Sequence, residues 1–171
     1  KGTFVAEGIG AILYSFQFVP EYGLEKGIVY SVFHSVSAFC NAGIDILGND
    51  SFMRYTSNPI INITTMLLIV TGGLGFIVWY DIYDTYKKVS DKRRFWAKLS
   101  LHSKLVLVMT SGMIVLGTLF VLILEFHNPD TIGNLPIGEK IMASMFHSVS
   151  TRTAGFATVS QVDLRAGTKF L

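Results

Sequence analysis

Hydrophobic positions along the chain fall into blocks of two lengths. Residues 3–20, 59–83 and 105–126 are long apolar runs, and an α-helix needs about 20 such residues to cross a bilayer. Residues 24–39 and 136–151 are shorter and amphipathic, a length that suits re-entrant, interfacial or core helices rather than spans. The order is long, short, long, then a polar stretch, then long and short again. Pro20 and Gly23 are expected to end the first long helix, and Pro59 suits the first turn of the second. The second run closes on Trp79, Tyr80 and Tyr83, which reads as an interfacial aromatic belt. Its Gly72, Gly73 and Gly75 permit a close neighbour or a bend. Asn49-Asp50, beyond Gly43 and Gly48, reads as a polar turn.

The two short blocks carry one motif. Phe33-His34-Ser35-Val36-Ser37-Ala38-Phe39-Cys40-Asn41-Ala42-Gly43-Ile44 returns as Phe146-His147-Ser148-Val149-Ser150-Thr151-Arg152-Thr153-Ala154-Gly155-Phe156. Both begin Phe-His-Ser-Val-Ser and both reach Ala-Gly followed by an apolar residue, the second with one residue fewer. Matched motifs in one register indicate an internal repeat. Each is expected to be a short helix ending at a glycine turn. Residues 1–83 then form one helix–loop–helix unit, 84–104 a linking loop, and 105–171 the first part of a second unit.

Charge fixes the topology this pattern predicts. Only 15% of the 171 residues are charged, against about 25% in soluble domains, and the mean hydropathy is +0.48. That composition argues for a membrane protein. Half of the 14 basic residues, Lys87, Lys88, Lys92, Arg93, Arg94, Lys98 and Lys104, lie in 84–104, with Asp84 and Asp91 the only acids there. Basic loops face the cytoplasm, which puts both short helices on the outer side. Lys92, Arg93 and Arg94 are also candidates for docking a soluble partner, beside the simpler reading of a solvated loop drawn to anionic lipid. The start at Lys1 and the stop just beyond the second motif lead us to expect a piece of a longer chain.

The two loops suit ion chemistry. Non-helical backbone at membrane depth survives where protein buries it or water lines it. Glycine lets carbonyls turn toward a common axis, and a ring of carbonyls replaces the hydration shell of a monovalent cation. The negative dipole end of the preceding helix favours cations there. Such filters use about four loops and this chain has two. The divergence of the copies fits pseudo-symmetry within one longer chain better than identical subunits.

Ser-Ala-Phe-Cys-Asn-Ala-Gly and Ser-Thr-Arg-Thr-Ala-Gly-Phe resemble the second and third pore loops of the Trk/Ktr/HKT superfamily of potassium transporters, most closely the membrane subunits of bacterial Ktr systems. The resemblance covers nearly the whole chain. It implies an all-α membrane protein built of parallel M1–P–M2 repeats with re-entrant pore helices, four repeats surrounding one pore in the cell membrane. It implies potassium uptake through a backbone-carbonyl selectivity filter, with Cys40, Asn41, Ala42 and Gly43 as its second segment and Arg152, Thr153, Ala154 and Gly155 as its third. K⁺ would be carried on the carbonyls of Asn41, Ala42, Gly43, Thr153, Ala154 and Gly155, and Gly43 and Gly155 would be the selectivity glycines. It also implies a homodimer of the full-length subunit on a cytoplasmic ring of nucleotide-binding regulatory subunits. Neither loop reads Thr-Val-Gly-Tyr-Gly, which leaves room for weaker selectivity and for Na⁺. The first and fourth repeats and the third M2 helix, with the family's gating loop, are not in this sequence, so the segment by itself is not expected to conduct. No organic cofactor and no nucleic-acid partner are expected.

Other chemistries are weaker. His34, His147 and Cys40 lack metal-ligand spacing. Ser35 and Ser37 beside His34 do not face it on a helix, and no acid orients it, so catalysis is not expected. Glu7 either faces the bundle interior or snorkels to the headgroups. Arg152 is expected to point behind the filter and pair with an acid. Short helices on one side of the membrane make the repeats parallel, which excludes an inverted-repeat carrier. A structural or assembly subunit without its own pore remains the alternative.

Overall fold

The computed structural model describes residues 2–48, 51–89 and 95–169, and the regular elements among these are all helices, with no strand. The helices are α1 (Gly2–Tyr22), α2 (Leu24–Phe39), α3 (Pro59–Gly73), α4 (Phe76–Lys88), α5 (Phe95–Lys98), α6 (Leu101–Glu125), α7 (Ile137–Thr153) and α8 (Ala166–Lys169). A single 3-10 turn, Met53–Tyr55, precedes α3. Local chemistry explains several boundaries. Asn58 caps α3, its Oδ1 accepting from the Ile60 and Ile61 amides at 3.0 and 3.2 Å, with Pro59 in the first turn. Ser100 caps α6 by accepting from the Ser103 amide at 3.2 Å. The turn expected at Asn49-Asp50 lies outside the described residues.

Two expectations are corrected. Pro20 lies inside α1, which runs on to Tyr22 and stops before Gly23, at φ 83°. A proline this close to the end deprives only the Phe16 carbonyl of its helical partner, so the helix need not stop there. The run 59–83 is not one straight span: α3 and α4 meet at 93°. Gly75, with φ 80°, starts α4 afresh, and Trp79 Nε1 donates to the Thr71 carbonyl at 2.9 Å, satisfying one acceptor at the end of α3. Trp79, Tyr80 and Tyr83 therefore belong to the bent-off helix. The far side of α4 is tied down where Asp81 accepts from the Ser100 amide and hydroxyl at 3.0 and 2.8 Å.

The core lies between α1, α2, α3 and α7. Tyr14, Phe18, Phe52, Ile61, Phe146 and Phe156 are fully buried in it. Tyr14 Oη and Thr65 Oγ1 share a 2.6 Å hydrogen bond at its centre. The surfaces turned away from this core are apolar, as at Phe4 and Phe16 on α1 and at Leu116 and Ile123 on α6. Helices α1 and α6 are each long and apolar enough to cross a membrane, and the bent α3–α4 pair passes the same test together. With large apolar side chains facing outward, this is a membrane protein.

Candidate pore-loop site

Both copies of Phe-His-Ser-Val-Ser lie on helices, α2 and α7, and the two serines of each copy have definite tasks. Ser35 donates through Oγ to the Glu7 carbonyl of α1 at 2.6 Å, and Ser148 donates to the Ile114 carbonyl of α6 at 3.1 Å. Each bond crosses where the preceding long helix carries a glycine: a Cβ on Gly10 or on Gly117 would collide with the hydroxyl of Ser35 or Ser148. Two residues on, Ser37 donates to the Ile44 carbonyl at 2.6 Å and Ser150 to the Phe156 carbonyl at 2.5 Å. His34 is fully buried; its Nδ1 faces the Tyr30 carbonyl at 2.6 Å and its Nε2 accepts from the Ile46 amide at 3.5 Å. It is a packing histidine beside Phe18 and Phe52, with ring centroids 5.4 and 5.3 Å away.

The loops then leave the helices in different ways. After α2, the Asn41 amide returns to the Ala38 carbonyl (3.2 Å) and the Ala42 amide to the Ser37 carbonyl (2.9 Å). With Asn41 at φ 53°, this is a Schellman closure, in which asparagine stands in for the usual glycine. Gly43 follows at φ 64°. Helix α7 runs on through Thr153, so Arg152 and Thr153 are helical and not irregular filter backbone. The Ala154 and Gly155 amides both turn back to the Ser150 carbonyl at 2.8 and 3.2 Å, and Gly155 takes φ 99°. One glycine thus does in the second loop what Asn41 and Gly43 share in the first, which accounts for the one-residue difference.

The loops meet backbone to backbone. A Cβ on Gly43 would overlap the Ala154 carbonyl oxygen and stand 2.7 Å from the Ala154 carbonyl carbon and 3.2 Å from Gly155 Cα. Beside this contact, Thr153 Oγ1 donates to Asn41 Oδ1 at 3.2 Å. No hydrogen bond within the described residues goes to the carbonyls of Asn41, Ala42, Gly43, Ala154 or Gly155, whereas the next carbonyls, of Ile44 and Phe156, are taken by serines. Beyond the loops, Phe52 stacks on Phe156 with centroids 4.9 Å apart, and the Phe52 amide donates to the Ala157 carbonyl at 3.1 Å. The described residues contain no cluster of three His, Cys, Asp or Glu side chains.

A family model described as cation transport protein, TrkH, matches residues 4–171. The chain belongs to the TrkH family. It is 40% identical over 159 residues to Ktr system potassium uptake protein B of Vibrio alginolyticus, covering 91% of this chain and 32% of that protein. It is likewise 40% identical over 162 residues to the protein of the same name from Bacillus subtilis, with 95% and 34% covered. It is 39% identical over 164 residues to potassium/sodium uptake protein NtpJ of Enterococcus hirae, with 96% and 34% covered. The chain spans about a third of the length of these relatives. The family is one of transporters and not of enzymes.

In this TrkH-family chain most of the residues singled out from sequence come together. Asn41, Ala42 and Gly43 meet Thr153, Ala154 and Gly155 where the two loops touch. Cys40 caps α2 and is exposed beside an apolar groove lined by Val32, Val36 and Ile44. Arg152 has its guanidinium beside the Asn41 side chain at the edge of that contact, and no acid pairs with it among the described residues. Its guanidinium instead reaches the end of α3, where a Cβ on Gly73 would stand 2.9 Å from an Nη, and its Nε is buried without a partner. A positive charge at a helix C-terminus is favourable in itself. Lys92, Arg93 and Arg94 lie outside the described residues. Sequence reasoning missed the serine contacts and also Glu125. Glu125 is fully buried. One carboxylate oxygen accepts from Asn128 Nδ2 (2.6 Å) and Thr131 Oγ1 (2.9 Å), and the other from the Arg165 amide (2.9 Å) and Thr168 Oγ1. It joins the end of α6 to the start of α8. The one sequence signal was an acid closing an apolar run.

Proposed function

We propose that this chain is the second M1–P–M2 repeat and part of the third of a potassium uptake protein, and that its two loops are two quarters of a pseudo-fourfold carbonyl filter. Residues 1–83 are the one repeat, 84–104 the cytoplasmic link and 105–171 the M1–P part of the next. The observation that carries this reading is the contact of Gly43 with the Ala154 carbonyl, at the ends of two helices held by equivalent serines. Two matched loops that touch through backbone, with carbonyls that take no hydrogen bond among the described residues, have the makings of a site for a monovalent cation. K⁺ is the cargo, held on carbonyls with Gly43 and Gly155 as selectivity glycines, and Na⁺ is the candidate second ion. Membership of the TrkH family supports cation transport, and the printed names of the relatives support potassium.

In the same proposal the short helices sit on the outer side and 84–104 inside the cell. The full-length subunit is a homodimer on a cytoplasmic nucleotide-binding ring, with Lys92, Arg93 and Arg94 at the docking face. Neutralising those three residues is expected to weaken co-purification of the ring; undiminished co-purification removes them from that role. The function itself is tested with the full-length protein in cells lacking their own potassium uptake. Restored growth at low K⁺ supports the reading. If the protein reaches the membrane and moves no cation, the loops are packing elements of an assembly subunit.

A further inference from the structure

Hydroxyls on buried helices usually bond to a carbonyl one turn back. This chain does so repeatedly: Ser31 donates to Gly27, Thr65 to Ile61 and Thr118 to Ile114, all at 2.6–2.7 Å. Ser37 and Ser150 do not. They reach forward, seven and six residues along the chain, to Ile44 and Phe156, and both are buried. The loops between donor and acceptor differ in length and in how they turn, yet the same hydroxyl meets the same carbonyl in each, the one directly after the loop glycine.

We propose that Ser37 and Ser150 are positioning residues of the filter. Each holds back the carbonyl after the glycine, so that the run of loop carbonyls without a hydrogen bond among the described residues is broken directly after Gly43 and after Gly155, and both loops stand at one height. This rests on the reading of the loops as a filter. It adds what sets the filter's outer limit and ties ion preference to two side chains that touch no ion. The neighbouring hydroxyls supply an internal contrast. Ser35 and Ser148 lie on the same helices, but they bond to α1 and α6 and leave the loop alone.

The test uses the full-length protein, with K⁺ and Na⁺ uptake measured in cells without their own potassium uptake, beside the amount in the membrane. Ser37→Ala and Ser150→Ala are expected each to reduce the K⁺ over Na⁺ preference about fivefold, the size of one net hydrogen bond, at normal amount. Ser35→Ala and Ser148→Ala are expected to lower the amount or the melting temperature and leave the preference as it is. Should the alanine variants fail to accumulate, Ser37→Cys and Ser150→Cys fill nearly the same space with a much weaker donor and are expected to shift the preference the same way. An unchanged preference in the accumulating Ser37 and Ser150 variants overturns the proposal, as does an equal shift in all four serine variants. Gly43→Ser separates the two levels. If it alters preference while the Ser37 and Ser150 variants do not, the filter reading stands and the serine roles fall. If it too changes nothing, the filter reading falls.

Discussion

At the scale of single residues, a short motif turns out to be a set of attachments. In Phe-His-Ser-Val-Ser the first serine joins the helix to the preceding span and the second joins it to the loop. The motif was legible as a repeat, and the helix and its glycine turn followed from it. The attachments were not legible, because the acceptors are backbone carbonyls, which every residue carries and which only the fold brings within reach. The left-handed positions show the same limit. Gly43 and Gly155 were expected to turn the backbone, but Asn41 was assigned only a carbonyl, and its Schellman geometry depends on where α2 stops. That geometry gives a prediction. Asn41→Gly is expected to keep the thermal stability of the full-length protein, and Asn41→Ala to lower it by about 1 kcal/mol, the cost of a left-handed turn to a residue with a Cβ. Equal stability of the two variants in a detergent melt would remove the capping role.

At the scale of elements, the short helices were read most closely. Residues 24–39 were expected and α2 is Leu24–Phe39; 136–151 were expected and α7 is Ile137–Thr153. Amphipathic period and flanking breakers located them. The long run 59–83 is apolar enough for a span and the bent α3–α4 pair passes that test together, but apolar length does not distinguish one straight helix from two joined at an angle. Its glycines offered a bend as an alternative to a close neighbour, and the structure uses both. A Cβ on Gly72 would overlap the Phe39 carbonyl oxygen and stand 2.9 Å from its carbon, so α3 passes directly against the end of α2. Gly72→Ala must push that helix end aside. It is expected to cost about 1–3 kcal/mol, as overpacking does, whereas Gly8→Ala on α1, with open space around it, is expected to be neutral or stabilising. Comparable melting temperatures for the two variants would contradict the close approach. Glu125 acts between elements too. Glu125→Gln turns one acceptor oxygen into a donor facing existing donors, and it is expected to destabilise the α6–α8 junction by about 1–3 kcal/mol. Rapid amide exchange confined to residues 156–169 is the expected signature; protection equal to wild type would show that the carboxylate does not hold the junction.

At the scale of the whole molecule, the repeat, the membrane character and the family could all be read from sequence, because apolar blocks and a duplicated motif survive without any knowledge of packing. The meeting of the two loops could not, since it depends on Phe52 stacking against Phe156 and on the Thr153–Asn41 bond between the loops. The proposed orientation can be checked directly. With exposed Cys40 replaced by serine, a cysteine at Lys98 is expected to react with an impermeant thiol reagent only from the cytoplasmic side, and one at Asn134 only from outside. The reverse pattern would invert the topology. The central claim is that Gly43 and Gly155 form a cation filter with neighbouring loops. Gly43 lacks both room and a permissive φ for a side chain, and Gly155 at φ 99° also resists one. The most direct measurement is the K⁺ to Na⁺ uptake ratio of the full-length protein with Gly43→Ser and with Gly155→Ser. The account predicts that both lower the ratio. A ratio unchanged by Gly43→Ser, in protein present at the wild-type level, would contradict it.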